Sequence, residues 1–206
     1  LGTSQNIDYL YSLIPKKVIK PIKKNKKVFD LPNFIELKDI FQNIELNLDS
    51  ALFGIKSSEQ QEIYIIILPL FSMCSVRVIR KYKLIIKELI SNSRKNQHIF
   101  FKYHPRERIF NFGLDLRQYH IINHNLGIEF LFLYFKMLES RKIKIIGPNS
   151  TSLITARLIF PNKDIKIFCY DNIINGLSDS MKEIFHFLDI CILKDFRKLK
   201  EIMKYK

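Results

Sequence analysis

From residue 61 onward, short apolar runs alternate with longer stretches in which apolar and charged positions follow helical spacing. Residues 61–68 are mainly β-branched and apolar, as in a strand buried on both faces of a parallel sheet. Pro69 ends that strand, residues 70–73 read as a turn, and Ser75 is placed to cap a helix running to about residue 91. In that helix Val76, Ile79, Ile85, Ile86, Leu89 and Ile90 fall near helical spacing, with Arg77, Arg80, Lys81, Lys83 and Lys87 at other positions. Strands follow at 98–103, 119–122, 143–146 and 165–170, and helices at about 128–139, 151–160, 180–189 and 194–204. The 128–139 segment is apolar nearly all round, so it reads as buried. Strands alternating with helices predict an α/β fold, a Rossmann-like parallel sheet over residues 62–206.

The amino-terminal part is less regular. Residues 28–32 read as a short strand and 35–41 as one or two helical turns. Between them and residue 1 lies a stretch carrying Lys16, Lys17, Lys20, Lys23, Lys24, Lys26 and Lys27, interrupted by Pro15 and Pro21. It reads either as a solvated loop or as a surface for phosphates or acidic glycans. The mixed connection 43–61 is the expected boundary, giving a segment 1–55 and a domain 56–206.

Two of the strands end in polar segments that suit a phosphate. His98-Ile99-Phe100-Phe101 runs into Lys102-Tyr103-His104-Pro105-Arg106-Glu107, and Ile143-Lys144-Ile145-Ile146 runs into Gly147-Pro148-Asn149-Ser150-Thr151-Ser152. Ligands of parallel α/β sheets gather beyond the carboxyl ends of the strands. A histidine there can hydrogen-bond, neutralise or protonate a phosphate oxygen. Ser150 or Thr151 can cap the apolar helix that follows, and hydroxyls and unpaired N–H groups at its start can hold the same group. His104 and Ser150 stand 46 positions apart with a strand, a helix and a strand between them, which fits two loops on one sheet edge. Arg106 and Arg108 read as phosphate or carboxylate contacts or as surface ion pairs. Glu107 is expected to hold His104 or to pair with a lysine, and Tyr103 to pack in the strand rather than stack on a base. Asp171-Asn172, at another strand end, fits a turn better than a sugar contact. His98, His120, His124 and His186 form no ligand set, and Asp115 stands in a loop without a role.

Charge and cysteines narrow the setting. With 34 Lys and Arg against 20 Asp and Glu, the chain carries +14 and a pI near 9.7. That excess either attracts an anionic partner or only solubilises. Cys74, Cys169 and Cys191 match no metal or redox spacing and read as buried thiols in a reducing compartment. The apolar runs at 63–71 and 128–138 are shorter than the ~20 residues that span a bilayer, so the chain reads as soluble or peripheral.

The two polar segments also carry a resemblance. Lys102-Tyr103-His104-Pro105-Arg106-Glu107 resembles the HP motif of bacterial sialyltransferases, and Asn149-Ser150-Thr151-Ser152-Leu153 resembles their Ser-Ser/Thr motif. The group in view is the capsular polysialyltransferases and lipooligosaccharide sialyltransferases, with the resemblance concentrated in residues 62–175. It implies a GT-B glycosyltransferase: two Rossmann-like domains, CMP-sialic acid in the cleft, the donor held mostly by the carboxyl-terminal domain, and no metal or other cofactor. Residues 56–206 would be that carboxyl-terminal domain and residues 1–55 the tail of the amino-terminal one. His104 would contact the CMP phosphate and act as acid for the leaving nucleotide, Pro105 would shape the loop, and Asn149, Ser150, Thr151 and Ser152 would bind the donor. Arg106 would be a further phosphate or carboxylate contact. The resemblance implies inverting, direct transfer to an anionic surface glycan, capsular polysaccharide or lipooligosaccharide, at the cytoplasmic face of the membrane, with peripheral membrane association.

Such enzymes also carry a D/E-D/E-G motif whose carboxylate deprotonates the acceptor, and no such motif occurs in these 206 residues. Leu1-Gly2-Thr3 resembles the residues that follow it, so the chain is expected to start just past the base and to bind donor without catalysing. One rival reading is a non-catalytic nucleic-acid-binding domain using 16–27 and the helix at 75–91; no familiar nucleic-acid motif is present, and no nucleic-acid partner is expected. Another is a related glycosyltransferase taking a different nucleotide sugar.

Overall fold

The computed structural model describes residues 9–12, 27–30, 62–93, 97–107, 113–114, 116, 119–122, 127–129, 131–132, 142–160, 165–174 and 176–204. The chain divides into two compact units, Leu1–Glu45 and Leu46–Lys206. In the first, β1 (Tyr9–Ser12) pairs in parallel with β2 (Lys27–Asp30), Tyr9 opposite Lys27 and Ser12 opposite Asp30. The strand expected at 28–32 is thus β2, whereas β1 was not anticipated. The helical turns expected at 35–41 and the connection at 43–61 lie outside the described residues.

Among the described residues, the second unit holds six strands: β3 (Glu62–Ile67), β4 (Gln97–Lys102), β5 (His120–Ile122), β6 (Ile143–Gly147), β7 (Lys166–Cys169) and β8 (Cys191–Ile192). They lie in the order β5-β4-β3-β6-β7-β8, and every neighbouring pair is parallel. Three strands run outward from β3 one way and three run the other way from β6. This is the strand order of the dinucleotide-binding Rossmann fold, in which the order reverses between the first and fourth strands. The expectation of a Rossmann-like parallel sheet holds.

Among the described residues, the helices that accompany the strands include α1 (Val76–Ser91), α2 (Thr151–Ile159), α3 (Asp171–Ile174), α4 (Asp179–Phe187) and α5 (Phe196–Lys204). Ser75 caps α1 as expected, its Oγ accepting the Val78 N–H at 3.4 Å. Residues 128, 129, 131 and 132 are helical, and Ile128, Leu131 and Phe132 are buried; the rest of the expected 128–139 helix lies outside the described residues. Neither α3, a single turn, nor β8, two residues long, was anticipated.

Both faces of the sheet are covered, so its strands read as apolar runs rather than as alternating ones. On one face Tyr64, Ile66, Ile99 and Phe101 form a core with Tyr82, Ile85 and Leu89 of α1 and Leu199, Ile202 and Met203 of α5. On the other, Ile63, Ile65, Phe100 and Ile145 are equally buried, and α2 packs against β6 and β7. Two polar groups are tied into the fold away from the strands' carboxyl ends. Near the start of β6, Lys144 donates to Tyr64 Oη at 2.7 Å, to the Ile202 carbonyl at 2.9 Å and to Glu62 Oε2 at 3.3 Å. Arg157, near the end of α2, donates to the Asp189 carbonyl at 2.8 Å. The three cysteines are free thiols, and the expectation that all are buried needs correcting. Cys169 is buried, Cys74 is half-buried and Cys191 is exposed, because β8 is the last strand of the sheet and its edge faces solvent.

Candidate functional site

A pocket of about 630 Å³ opens beyond the carboxyl ends of the central strands, within the size range of small-molecule sites. Three loops build it. Pro69 and Leu70 follow β3, Tyr103 to Arg106 follow β4, and Pro148 to Ser152 follow β6. Because β3 stands between β4 and β6, the His104 and Ser150 loops flank the point where the strand order reverses. Ligands of open α/β sheets bind at that point, outside the strand ends.

His104 leaves β4 where Pro105 makes continuation of the ladder impossible. Its Nδ1 accepts the backbone N–H of Arg106 at 3.1 Å. A neutral imidazole with Nδ1 as acceptor carries its proton on Nε2, which makes Nε2–H a hydrogen-bond donor. Burial lowers the His104 pKa below its usual value, the charges of Arg106 and Lys102 lower it further, and Glu107 opposes them. Glu107 is itself 3% exposed, and its carboxylate accepts the Ser72 N–H at 3.2 Å. It thereby pins the loop after β3 to the loop after β4, a bond that neither expected partner anticipated. Tyr103 packs into the core as expected, while Arg106 is exposed at the pocket wall. Arg108 and Asp115 lie outside the described residues.

The β6 loop is built differently. Gly147 lets β6 approach its neighbours: a Cβ there would stand 3.1 Å from Ile67 Cβ and 3.2 Å from Leu153 Cδ2. Ser150, rather than Thr151, caps α2, its Oγ accepting the Ser152 N–H at 3.1 Å. The first N–H groups of an α-helix have no intrahelical partner, so the Thr151 end of α2 offers donors and a partial positive charge to the pocket. Thr151 is exposed, Ser152 half-buried and Asn149 exposed. The structure therefore brings His104, Pro105, Arg106, Asn149, Ser150, Thr151 and Ser152 to a single pocket.

Two residues with larger parts than expected are Asp171 and Lys102. Asp171 opens α3 instead of forming a simple turn. One oxygen accepts the Tyr82 hydroxyl at 2.7 Å and the other accepts the Asn149 N–H at 2.9 Å, so it ties the β6 loop to α1. Burial raises its pKa, against the two hydrogen bonds. The Asp171→Ala variant is expected to lose about 2 kcal/mol of stability, as for bonds to a charged acceptor, read as a lower urea midpoint. Lys102, the last residue of β4, lies opposite Ile67 in the ladder and is 2% exposed. Its Nζ donates to the Tyr103 carbonyl at 3.2 Å, and burial brings its pKa down to about 8, with Glu129 opposing. A lysine ending an apolar strand beneath a pocket was the signal available in the sequence.

Among the described residues, no three His, Cys, Asp or Glu side chains converge as metal ligands would, and no helix is long and apolar enough to cross a membrane. No curated protein matches the chain. A family model, Alpha-2,8-polysialyltransferase (POLYST), matches residues 1–169, a stretch that contains all three loops of the pocket. By that match over 169 of 206 residues, this Rossmann-like chain belongs to the alpha-2,8-polysialyltransferase family, enzymes of sialic acid transfer.

Proposed function

We propose that the pocket binds the CMP moiety of CMP-sialic acid, and that residues 56–206 are the donor-binding carboxyl-terminal domain of a GT-B polysialyltransferase. The observation that carries this reading is the meeting of the His104 loop and the capped start of α2 in one pocket at the sheet's reversal point. In this reading the phosphate sits against the Thr151 end of α2, with the Ser150, Thr151 and Ser152 segment around it and the Asn149 backbone held in place by Asp171.

The chemistry follows from where charge grows. An acceptor hydroxyl attacks the anomeric carbon of sialic acid as the bond from that carbon to the phosphate oxygen breaks. The departing CMP gains a negative charge on that oxygen. Donors fixed before the reaction stabilise such charge without reorganising, and here they are the α2 N–H groups and His104 Nε2–H. His104 stays neutral and keeps that proton, since losing it would leave an imidazolate, and its Nε2–H hydrogen bond stabilises the departing phosphate. Transfer in one displacement inverts the anomeric centre. No metal is needed where α2 and His104 carry this load. The acceptor is an anionic surface glycan, capsular polysaccharide or lipooligosaccharide. The +14 charge draws that polymer, and the acidic head groups beside which it is made, toward the protein.

Calorimetric titration with CMP tests the reading. The chain is expected to bind CMP saturably, and Ser150→Ala/Thr151→Ala to weaken binding on the order of tenfold or more, two hydroxyl contacts and the cap being lost. Unchanged affinity in the double variant, with its fold intact by circular dichroism, would remove α2 from the site.

A further inference from the structure

The pocket contains a second polar pair that phosphate binding does not use. Lys102 follows Phe100 on the sheet face that also carries Ile65 and Ile67, and it lines the pocket together with Ile67. Ile128 and Glu129, at the start of the helical segment after β5, line the same pocket. Ile67 is 5% exposed and Ile128 is 7% exposed. A cation alone on such a wall would suit an anion. A carboxylate beside it would repel one, and Glu129 is near enough for its charge to oppose loss of the Lys102 proton. A donor and an acceptor in the lining of one pocket, with apolar residues in the same lining, suit the edge of a flat, neutral ring instead.

We infer that Lys102 and Glu129 read the base of the nucleotide and select cytosine. This rests on the donor-site reading above. Cytosine presents an exocyclic amino group next to two acceptors, N3 and O2. Glu129 accepts from the amino group and Lys102 donates to the acceptor side, while Ile67 and Ile128 lie against the ring. Carboxylates pair with the cytosine amino group in nucleic-acid recognition for the same reason. Uracil replaces the amino group with a carbonyl and N3 with N–H. Its carbonyl would then face Glu129, acceptor against acceptor. The pair thus both attracts one base and rejects the other, which is how specificity is made sharp.

Calorimetric titrations of CMP and UMP into the chain, Glu129→Gln and Lys102→Met decide it. The unaltered chain is expected to prefer CMP by roughly ten- to a hundredfold. In Glu129→Gln the amide rotates to serve either base, so the preference falls to a few-fold. Lys102→Met weakens CMP on the order of tenfold while melting no lower than the unaltered chain, which excludes misfolding. Equal losses of CMP and UMP in Glu129→Gln, as a ribose contact would give, overturn the inference. So does an unchanged preference in both variants. If the Ser150→Ala/Thr151→Ala variant loses CMP while those preferences stay fixed, the donor site stands and base selection lies elsewhere. If the unaltered chain binds no CMP, both readings fall together.

Discussion

His104→Ala is expected to weaken CMP binding by roughly ten- to a hundredfold, the range for losing a hydrogen bond to a charged group. In an assembly competent for transfer it should lower kcat by about 10²-fold or more, as for removal of a fixed donor to the developing negative charge. The argument is the tautomer. With Nδ1 accepting the Arg106 N–H, the mobile proton sits on Nε2, free of the turn. His104→Gln, which restores a hydrogen-bond donor, should recover part of both the affinity and kcat. A pH dependence follows. The ordinary value is 6.5, and the folded value is lower because of burial and then the Arg106 charge. The stability that neutral His104 contributes is therefore fully present above pH 6.5, where folded and unfolded chains are both neutral. It is lost as pH falls through the folded value, since protonation in the folded chain sets an N–H against the Arg106 N–H. Urea melts of the chain and His104→Ala should accordingly converge as pH falls below 6.5.

Lys102→Met should stabilise the chain at pH 7 while impairing nucleotide binding. A lysine 2% exposed and held near pKa 8 bears its charge at neutral pH at a cost set by desolvation. Methionine fills a similar volume without that cost. We expect a gain of about 2 kcal/mol, or roughly 5 °C in melting temperature for a chain of this size. Below pH 8 the lysine is charged in both states and the cost is complete. As pH rises from about 8 to 10.5 the folded chain sheds the proton first, so folding becomes more favourable and the difference between lysine and methionine shrinks. A thermal melt series at pH 7, 9 and 10.5 reads this directly. Equal melting temperatures at pH 7 would mean that Lys102 is well solvated in the pocket, and its retention would need no functional reason.

The sequence displayed the sheet and hid the ties across it. Strands β3, β4 and β6 were legible because each is a buried apolar run stopped by Pro69, Pro105 or Gly147. The start of α1 was legible from Ser75 alone. β8 was not, because two residues at a sheet edge carry no periodicity, and the same edge position exposes Cys191 against the apolar look of its neighbours. The pairing of the His104 and Ser150 loops on one edge could be reasoned from the alternation of strands and helices. What could not be read were contacts made by distant segments: Tyr82 to Asp171, 89 positions apart, and Glu107 to Ser72, 35 apart. Such bonds depend on how helices and loops settle over the sheet, which local pattern does not encode. Lys102 stands inside the His-Pro motif, but its burial and its place in one pocket lining with Ile128 and Glu129 could not be read from local pattern.

The most direct measurement is a crystal structure of this chain with CMP. The account predicts the phosphate at the amino-terminal end of α2, within hydrogen-bond distance of the Thr151 N–H and of His104 Nε2, with the base toward Lys102 and Glu129. A phosphate bound instead along the basic positions of α1, or anywhere that leaves the Ser150 and His104 loops untouched, would contradict it.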